Sequence, residues 1–310
     1  MRICFYNDHP YWGQLADNGG SRTIILSCEA LRRCGHEAAI VARKDRFTWF
    51  RHPRVIASIP SNADAVIAVS ISDVPLVMQK APNTAVKAYW ARPIETWQMN
   101  SQRIYEVLKA FAKSGGIILC NSEWQIRKLA KHGINAKIQY AGLDLDEWHN
   151  LRLRPEKITC GALYSDRASK QWNVFASFMN KAKGLRFVAF GLGKPKEGLD
   201  YYVENPTHEE LKKLYSSCHV WIATSKMEGF HNPPTEAALC GCLVVCCDNP
   251  HNGCGDYANS ETAETYATSD GLVSLMDNLD YSKVPKMQEL LRTKIGSRET
   301  NMAKLVEALK

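Results

Sequence analysis

The chain has 310 residues, 45% of them hydrophobic and 23% charged, with a formal net charge of +7. That is enough apolar material for two domains with substantial cores. No apolar run approaches the length of a membrane span, and the opening Met1-Arg2-Ile3-Cys4-Phe5-Tyr6 is too short for a signal peptide, so a cytoplasmic protein is expected.

Apolar runs alternate with helical patterns from end to end, which implies βαβ units and parallel sheets. In the first half the predicted strands are 2–6, 38–42, 65–70, 85–90, 116–120 and 136–140, with helices at 21–34, 101–113 and 122–132. Ser122 with Gln125 has the spacing of a capping box, and Gly133 suits the end of that helix. A break falls at 143–155, where charged residues and a proline cluster without apolar periodicity. The second half restarts with a strand at 157–161 and a helix from about 170, followed by strands at 186–190, 219–224 and 243–247 and a helix at 207–216. Three final helices are predicted at 270–279, 283–294 and 297–309. Two doubly wound α/β domains facing one another across a cleft is the expected architecture.

The most informative stretch is 226–241, in which Glu228 and Glu236 flank a Gly229-Phe230 turn and the pair Pro233-Pro234, ahead of an Ala-rich helix. Proline is favoured in the first helical turn, so Glu236 is expected early in the helix, with Gly241 at its end and Glu228 on the entering loop. Backbone N–H groups and the positive end of the helix dipole point into that loop and make it an anion site. The apolar run 220–225 reads as a buried parallel strand, which places both glutamates at the carboxyl end of a sheet. Two carboxylates beside an anion site suit a ligand with both hydroxyls and phosphates, such as a sugar nucleotide.

The eleven cysteines form no Cys-x-x-Cys pair, which argues against zinc or a disulfide framework. The charge is uneven: residues 1–150 hold 19 Lys/Arg against 13 Asp/Glu, and residues 151–310 hold 20 against 19. Within the basic half, 43–54 carries Arg43, Lys44, Arg46, Arg51 and Arg54 interleaved with Phe47, Trp49 and Phe50. Such a loop suits either phosphate contact with base stacking or a solvated surface held by aromatic anchors. His9, after the first strand, is a candidate base or hydroxyl contact, and Arg92, Glu95 and Trp97 combine charge with aromatic faces. Gly191 and Gly193 follow a strand and allow close backbone approach.

The runs Cys120-Asn121-Ser122-Glu123-Trp124, Lys131-His132-Gly133-Ile134 and Tyr140 through Trp148 resemble the inter-domain passage of GT-B glycosyltransferases. Glu228 through Glu236 resembles the paired-glutamate motif of the retaining family 4, and Gly19-Gly20 its N-terminal glycine loop. The compact size also resembles bacteriophage-encoded members. The resemblance implies an acceptor domain at 1–150, a nucleotide-sugar donor domain at 151–295, and a C-terminal helix at 296–310 packing back on the first domain. It implies retention of configuration without an obligatory metal, the Asp144-Leu145-Asp146 spacing being read as structural. Glu228 is then expected at the transferred sugar, Glu236 at the ribose hydroxyls, and Gly229, Phe230, His231 and Asn232 at the diphosphate. Gly191 and Gly193 go to the base of a UDP-, GDP- or other sugar nucleotide. The family's diphosphate-gripping pair is carried to Lys170, with Arg167 as a second candidate, because Ala162 stands where the first arginine is usual. Gly19, Gly20, His9, Arg92 and Glu95 are the candidate acceptor contacts. Three readings follow: transfer to a hydroxyl of a glycan, lipid-linked sugar or protein; transfer to a hydroxylated base in DNA gripped by Arg43, Lys44, Arg46, Trp49 and Arg51; or sugar-nucleotide binding without catalysis.

Overall fold

A computed structural model describes residues 1–9, 13–52, 55–92, 101–194, 198–249 and 252–310. The chain divides into two compact units, Met1–Leu143 with Ser297–Lys310, and Asp144–Gly296.

The first unit holds a seven-stranded parallel sheet in the order Val55–Ile56, Glu37–Ala42, Arg2–Asn7, Ala65–Ala68, Val86–Ala91, Ile117–Cys120, Lys137–Ile138. Its inner strands are Val, Ile and Ala runs buried on both faces, as a sheet covered by helices on each side requires. Phe5 sits opposite Ile40 on one side and Ile67 on the other, and joins a core with Ile25, Leu31, Trp90 and Leu119. The helix Arg298–Ala308 adds Met302, Leu305 and Val306 to the same core. Gly142 lets this return happen: its φ is +75°, and a β-carbon there would stand 2.4 Å from the Ser297 carbonyl oxygen.

The second unit repeats the pattern with six parallel strands in the order Tyr201–Glu204, Arg186–Gly191, Thr159–Tyr164, Val220–Ala223, Leu243–Cys247, Glu264–Tyr266. Phe175 and Phe178, on the helix Trp172–Lys181, pack edge-on against Phe187 of the sheet and tilted against each other. Both sheets begin near their middle, run to one edge and then to the other, which is the doubly wound arrangement expected from the sequence.

Several elements depart from expectation. The helix Val74–Lys80 and the strands Tyr201–Glu204 and Glu264–Tyr266 were not predicted, being too short to show a period. The last strand of the first unit shrinks to the exposed Lys137–Ile138. The helix predicted at 283–294 is α-helical over Lys283–Leu290 and widens to a π-turn at Leu291–Ile295 before Gly296. Ser122 does not cap its helix. Gln125 instead accepts from Asn121 N at 3.1 Å and donates to Arg92 O at 2.7 Å. The capping box belongs to Thr207 and Glu210, at the helix His208–Ser217.

Candidate active site

In the second unit the strands Thr159–Tyr164 and Val220–Ala223 are neighbours whose chains leave in opposite directions, one toward Arg186–Gly191 and the other toward Leu243–Cys247. The loops after their carboxyl ends therefore part and leave a crevice, the place where open α/β sheets bind ligands. Two bonds stitch the loops together across it: Lys226 N donates to Ser169 O at 2.9 Å, and Thr224 Oγ1 donates to Lys170 O at 2.6 Å.

This stitching brings Lys170 and Glu228 into contact. Lys170 Nζ donates to Glu228 Oε1, with side-chain exposures of 20% and 17%. His231 Nε2 lies 3.9 Å from the same oxygen. Burial alone would push the Glu228 carboxyl up, but His231 and Lys170 outweigh it and hold it below the usual carboxylate range. Two non-glycine residues in this site have left-handed backbones, Gln171 at φ 48° and His231 at φ 69°. Such conformations cost about 1–3 kcal/mol each and persist where surrounding contacts over-determine them. At His231 those contacts are visible: Tyr257 OH donates to its carbonyl at 2.9 Å, and its Nδ1 lies 3.3 Å from Cys254 Sγ.

The helix Asn232–Leu239 follows directly, with Pro233 and Pro234 in its first turn. Both prolines lack an N–H, so this first turn offers few backbone donors of its own, and the loop of residues 229–232 leads directly into it. Glu236 lies in the middle of the helix rather than early in it, and is only 4% exposed. Its Oε2 accepts from Tyr215 OH at 3.1 Å. Gly241, with φ +95°, ends the helix as expected.

Behind the glutamate loop stands a segment that sequence reasoning missed. Asn252 Nδ2 donates to Ser225 O at 2.8 Å, its Oδ1 accepts from Cys254 N at 3.1 Å, and Gly253 N donates to Glu228 O at 3.2 Å. The only available signal was the turn-forming Asn252-Gly253 pair after a buried strand.

The flanking loop places the remaining candidates. Ala162 is wholly buried, paired in register with Ala189 and Ile222, and Gly161 backs onto Trp221 and Cys218. The strand runs on to Tyr164, so Ala162 is a core position and cannot be where a diphosphate-gripping arginine is missing. The cation that follows the strand end is Arg167, exposed on the loop leading to Lys170. Gly191 ends its strand against Tyr164 O and Tyr202 OH, and Tyr202 OH donates to Gly193 O.

In the first unit, Gly19 and Gly20 open the helix Gly19–Arg33, whose cap Asn18 accepts from Ser21 N at 2.9 Å. Arg92 donates to Gly20 O at 2.6 Å and to Val69 O at 2.9 Å, so it ties the helix start to a strand end. His9 follows the first strand and accepts from Gly13 N at 2.7 Å through its carbonyl. Glu95 and Trp97 lie outside the described residues, as does Arg54. Arg43, Lys44, Arg46 and Arg51 are exposed. The aromatics between them turn inward: Phe47 packs edge-on against Trp49 at 5.5 Å, Phe50 at 4.9 Å and His52 at 5.5 Å, and the cluster joins the core. The base-stacking reading of this loop, including Trp49, is thereby replaced by that of aromatic anchors. Among the described residues no group of three or more His, Cys, Asp or Glu is placed to hold a metal ion, and no helix is long and apolar enough to cross a membrane.

No family profile and no curated protein matches the chain. Solved structures do. Sucrose-phosphate synthase from Thermosynechococcus elongatus is similar with a TM-score of 0.76 at 14% identity, over 99% of this chain and 98% of that one. The Anabaena protein HepE, solved with UDP-glucose, is similar with a TM-score of 0.78 at 12% identity, over 100% and 99%. A glycosyltransferase from Rickettsia africae is similar with a TM-score of 0.71 at 14% identity, over 100% and 98%. At these identities the likeness shows a shared fold, the α/β architecture of GT-B proteins.

Proposed function

We propose that this chain is a glycosyltransferase that moves a sugar from a nucleotide donor to a hydroxyl-bearing acceptor. The observation that carries the reading is the Lys170–Glu228 ion pair at the crevice of the second unit, beside the amides of residues 229–232. A departing nucleoside diphosphate needs its growing negative charge met by fixed donors and cations. Lys170, Arg167 and those amides supply both, so no metal is required. Glu228, kept anionic by its neighbours, faces the positive charge that develops on the sugar and favours transfer with retention. Glu236 stands at the ribose hydroxyls, with Gly191 and Gly193 beside the base. UDP is the favoured carrier, because HepE of the same fold is solved with UDP-glucose. The carboxyl edge of the first unit's sheet, with His9, Gly19 and Gly20, is assigned to a glycan, lipid-linked or protein acceptor. Loss of catalysis no longer has a motive, since Ala162 belongs to the core.

The test is a thermal-shift panel of UDP-, GDP-, ADP- and dTDP-sugars, followed by donor hydrolysis and transfer. UDP-sugars are expected to stabilise the protein most, and Glu228→Ala to abolish turnover while the fold is kept. Absence of stabilisation by any sugar nucleotide, or full turnover in Glu228→Ala, rejects the proposal.

A further inference from the structure

The first unit holds a polar cluster that has no part in the transfer scheme above. A cavity of about 160 Å³ opens beside the segments that follow the strands Arg2–Asn7 and Val55–Ile56, lined by Tyr6, Asp8, Ala57, Ser58, Ile59 and Lys80. Tyr6 is buried, and its hydroxyl donates to Asp8 Oδ2 at 3.3 Å while accepting from Lys80 Nζ at 2.9 Å. Lys80 Nζ stands 3.7 Å from the same carboxylate oxygen, within ion-pair range but too far for a hydrogen bond. Arg43 Nε lies 3.5 Å from the other oxygen, Oδ1. The backbone fixes Arg43 there. Its N–H donates to Gly13 O at 2.9 Å, and a β-carbon on Gly13 would stand 2.4 Å from the Asp8 carbonyl carbon.

One carboxylate therefore faces two cations. An ion pair that served only to hold the loop would be complete with Arg43 and Asp8, so the charge on Lys80 is surplus at the cavity wall. Its donors are surplus too. An ammonium has three N–H groups, and among the described residues only Tyr6 accepts a hydrogen bond from this one. Burial raises the Tyr6 phenol, and the bond to Tyr6 raises the Lys80 amine, so the phenol stays neutral and the lysine charged through the neutral range. Ala57 and Ile59 add apolar surface to the same cavity. We infer that this cavity is a subsite for an oxyanion, phosphate or carboxylate, carried by an acceptor sugar whose carbon body rests on Ala57 and Ile59. Lys80 is the binding cation, and Tyr6 and Asp8 are positioning residues that hold its ammonium at the cavity. That the ligand is an acceptor rests on the transfer reading, which puts the acceptor at the carboxyl edge of this sheet.

The experiment is calorimetric titration of the full chain with glucose 6-phosphate, glucuronate, glucose and inorganic phosphate, with UDP present to fill the donor crevice. At least one of the two anionic sugars is expected to bind about tenfold more tightly than glucose, and the phosphate and carboxylate arms tell which oxyanion is taken. Lys80→Met should remove that preference, and Lys80→Arg should keep most of it. Tyr6→Phe keeps the ring and removes the anchor of the ammonium, so it should weaken the anionic sugar several-fold and leave glucose unmoved. Should Lys80→Met fail to fold, Lys80→Gln and the wild-type comparison of charged with neutral sugar carry the decision. Equal affinity for glucose and both anionic sugars, no binding of any anion, or a preference unchanged in Lys80→Met overturns the inference. In transfer from UDP-glucose, Lys80→Met should raise KM for the anionic acceptor about tenfold with kcat little changed. Anion binding at Lys80 in a protein that transfers no sugar removes the acceptor role and leaves the subsite. Transfer that is indifferent to the anion removes the subsite and leaves the transfer reading.

Discussion

Gly253 presses its Cα against the backbone of Gly229, so closely that a β-carbon on it would stand 2.0 Å from the Gly229 carbonyl oxygen. The two loops behind and before the glutamate are held at backbone distance, joined by the parallel bridge between Glu228 and Asn252. Gly253→Ala forces them apart. Overpacking of this kind costs about 1–3 kcal/mol. Chemical denaturation should show that loss, and calorimetry should show weaker sugar-nucleotide binding, because Glu228 moves with its carbonyl.

The depressed Glu228 carboxyl links the site to pH. A carboxyl held below its ordinary value of 4.5 stabilises the fold fully above that value, and the contribution drains away as pH falls through the lower folded value. Glu228→Gln should therefore lack this part of the acid loss, so its stability and that of the wild type begin to converge as pH falls past about 4.5 and meet only below the lower folded value. Lys170→Met leaves Glu228 short of a cation and should cost about 1–3 kcal/mol at neutral pH. Parallel stability curves for wild type and Glu228→Gln through the acid range would show that the pair is not formed in solution.

Tyr215 is buried among Trp148, Phe190 and Trp221, and its hydroxyl holds one oxygen of Glu236. Tyr215→Phe keeps the ring packing and removes that bond. A hydrogen bond to a charged group is worth about 1.5–3 kcal/mol, so a loss of that order is expected in urea titrations. A loosened Glu236 should also weaken donor binding, and Glu236→Ala should weaken it further.

Position 162 separates core from site. Ala162→Arg buries an unpaired cation in the middle of a sheet and should unfold the second unit, a loss above about 4 kcal/mol. Arg167→Gln, on the exposed loop, should leave stability within about 0.5 kcal/mol and raise the donor Kd. Circular dichroism melts of the two variants make the comparison. A folded Ala162→Arg protein with improved donor binding would reverse the assignment.

The basic loop offers a parallel contrast. Neutralising Arg43, Lys44 and Arg46 together removes exposed charges and should change stability by less than about 1 kcal/mol, because the loop hangs on its aromatics. Phe47→Ala empties that anchor and should cost about 3 kcal/mol, read from the thermal midpoint.

How much could be read before the fold was known differs from residue to residue. The buried strand before Glu228, the helix start at the prolines and its end at Gly241 were legible because each depends on chemistry within a few neighbouring residues: apolar runs, a missing N–H, a positive φ. The doubly wound class followed from alternating patterns for the same reason. Ala162 was misjudged because the length of its strand is set by pairing with Arg186–Gly191, which local composition does not encode. Cys254 and Tyr215 were invisible as site residues, standing 23 residues from His231 and 21 from Glu236. Their meeting requires the sheet order and the crossovers that carry distant loops to one edge. Short-range propensity acts along the backbone, whereas ion pairs and buried hydrogen bonds form only after packing has chosen which side chains lose water together.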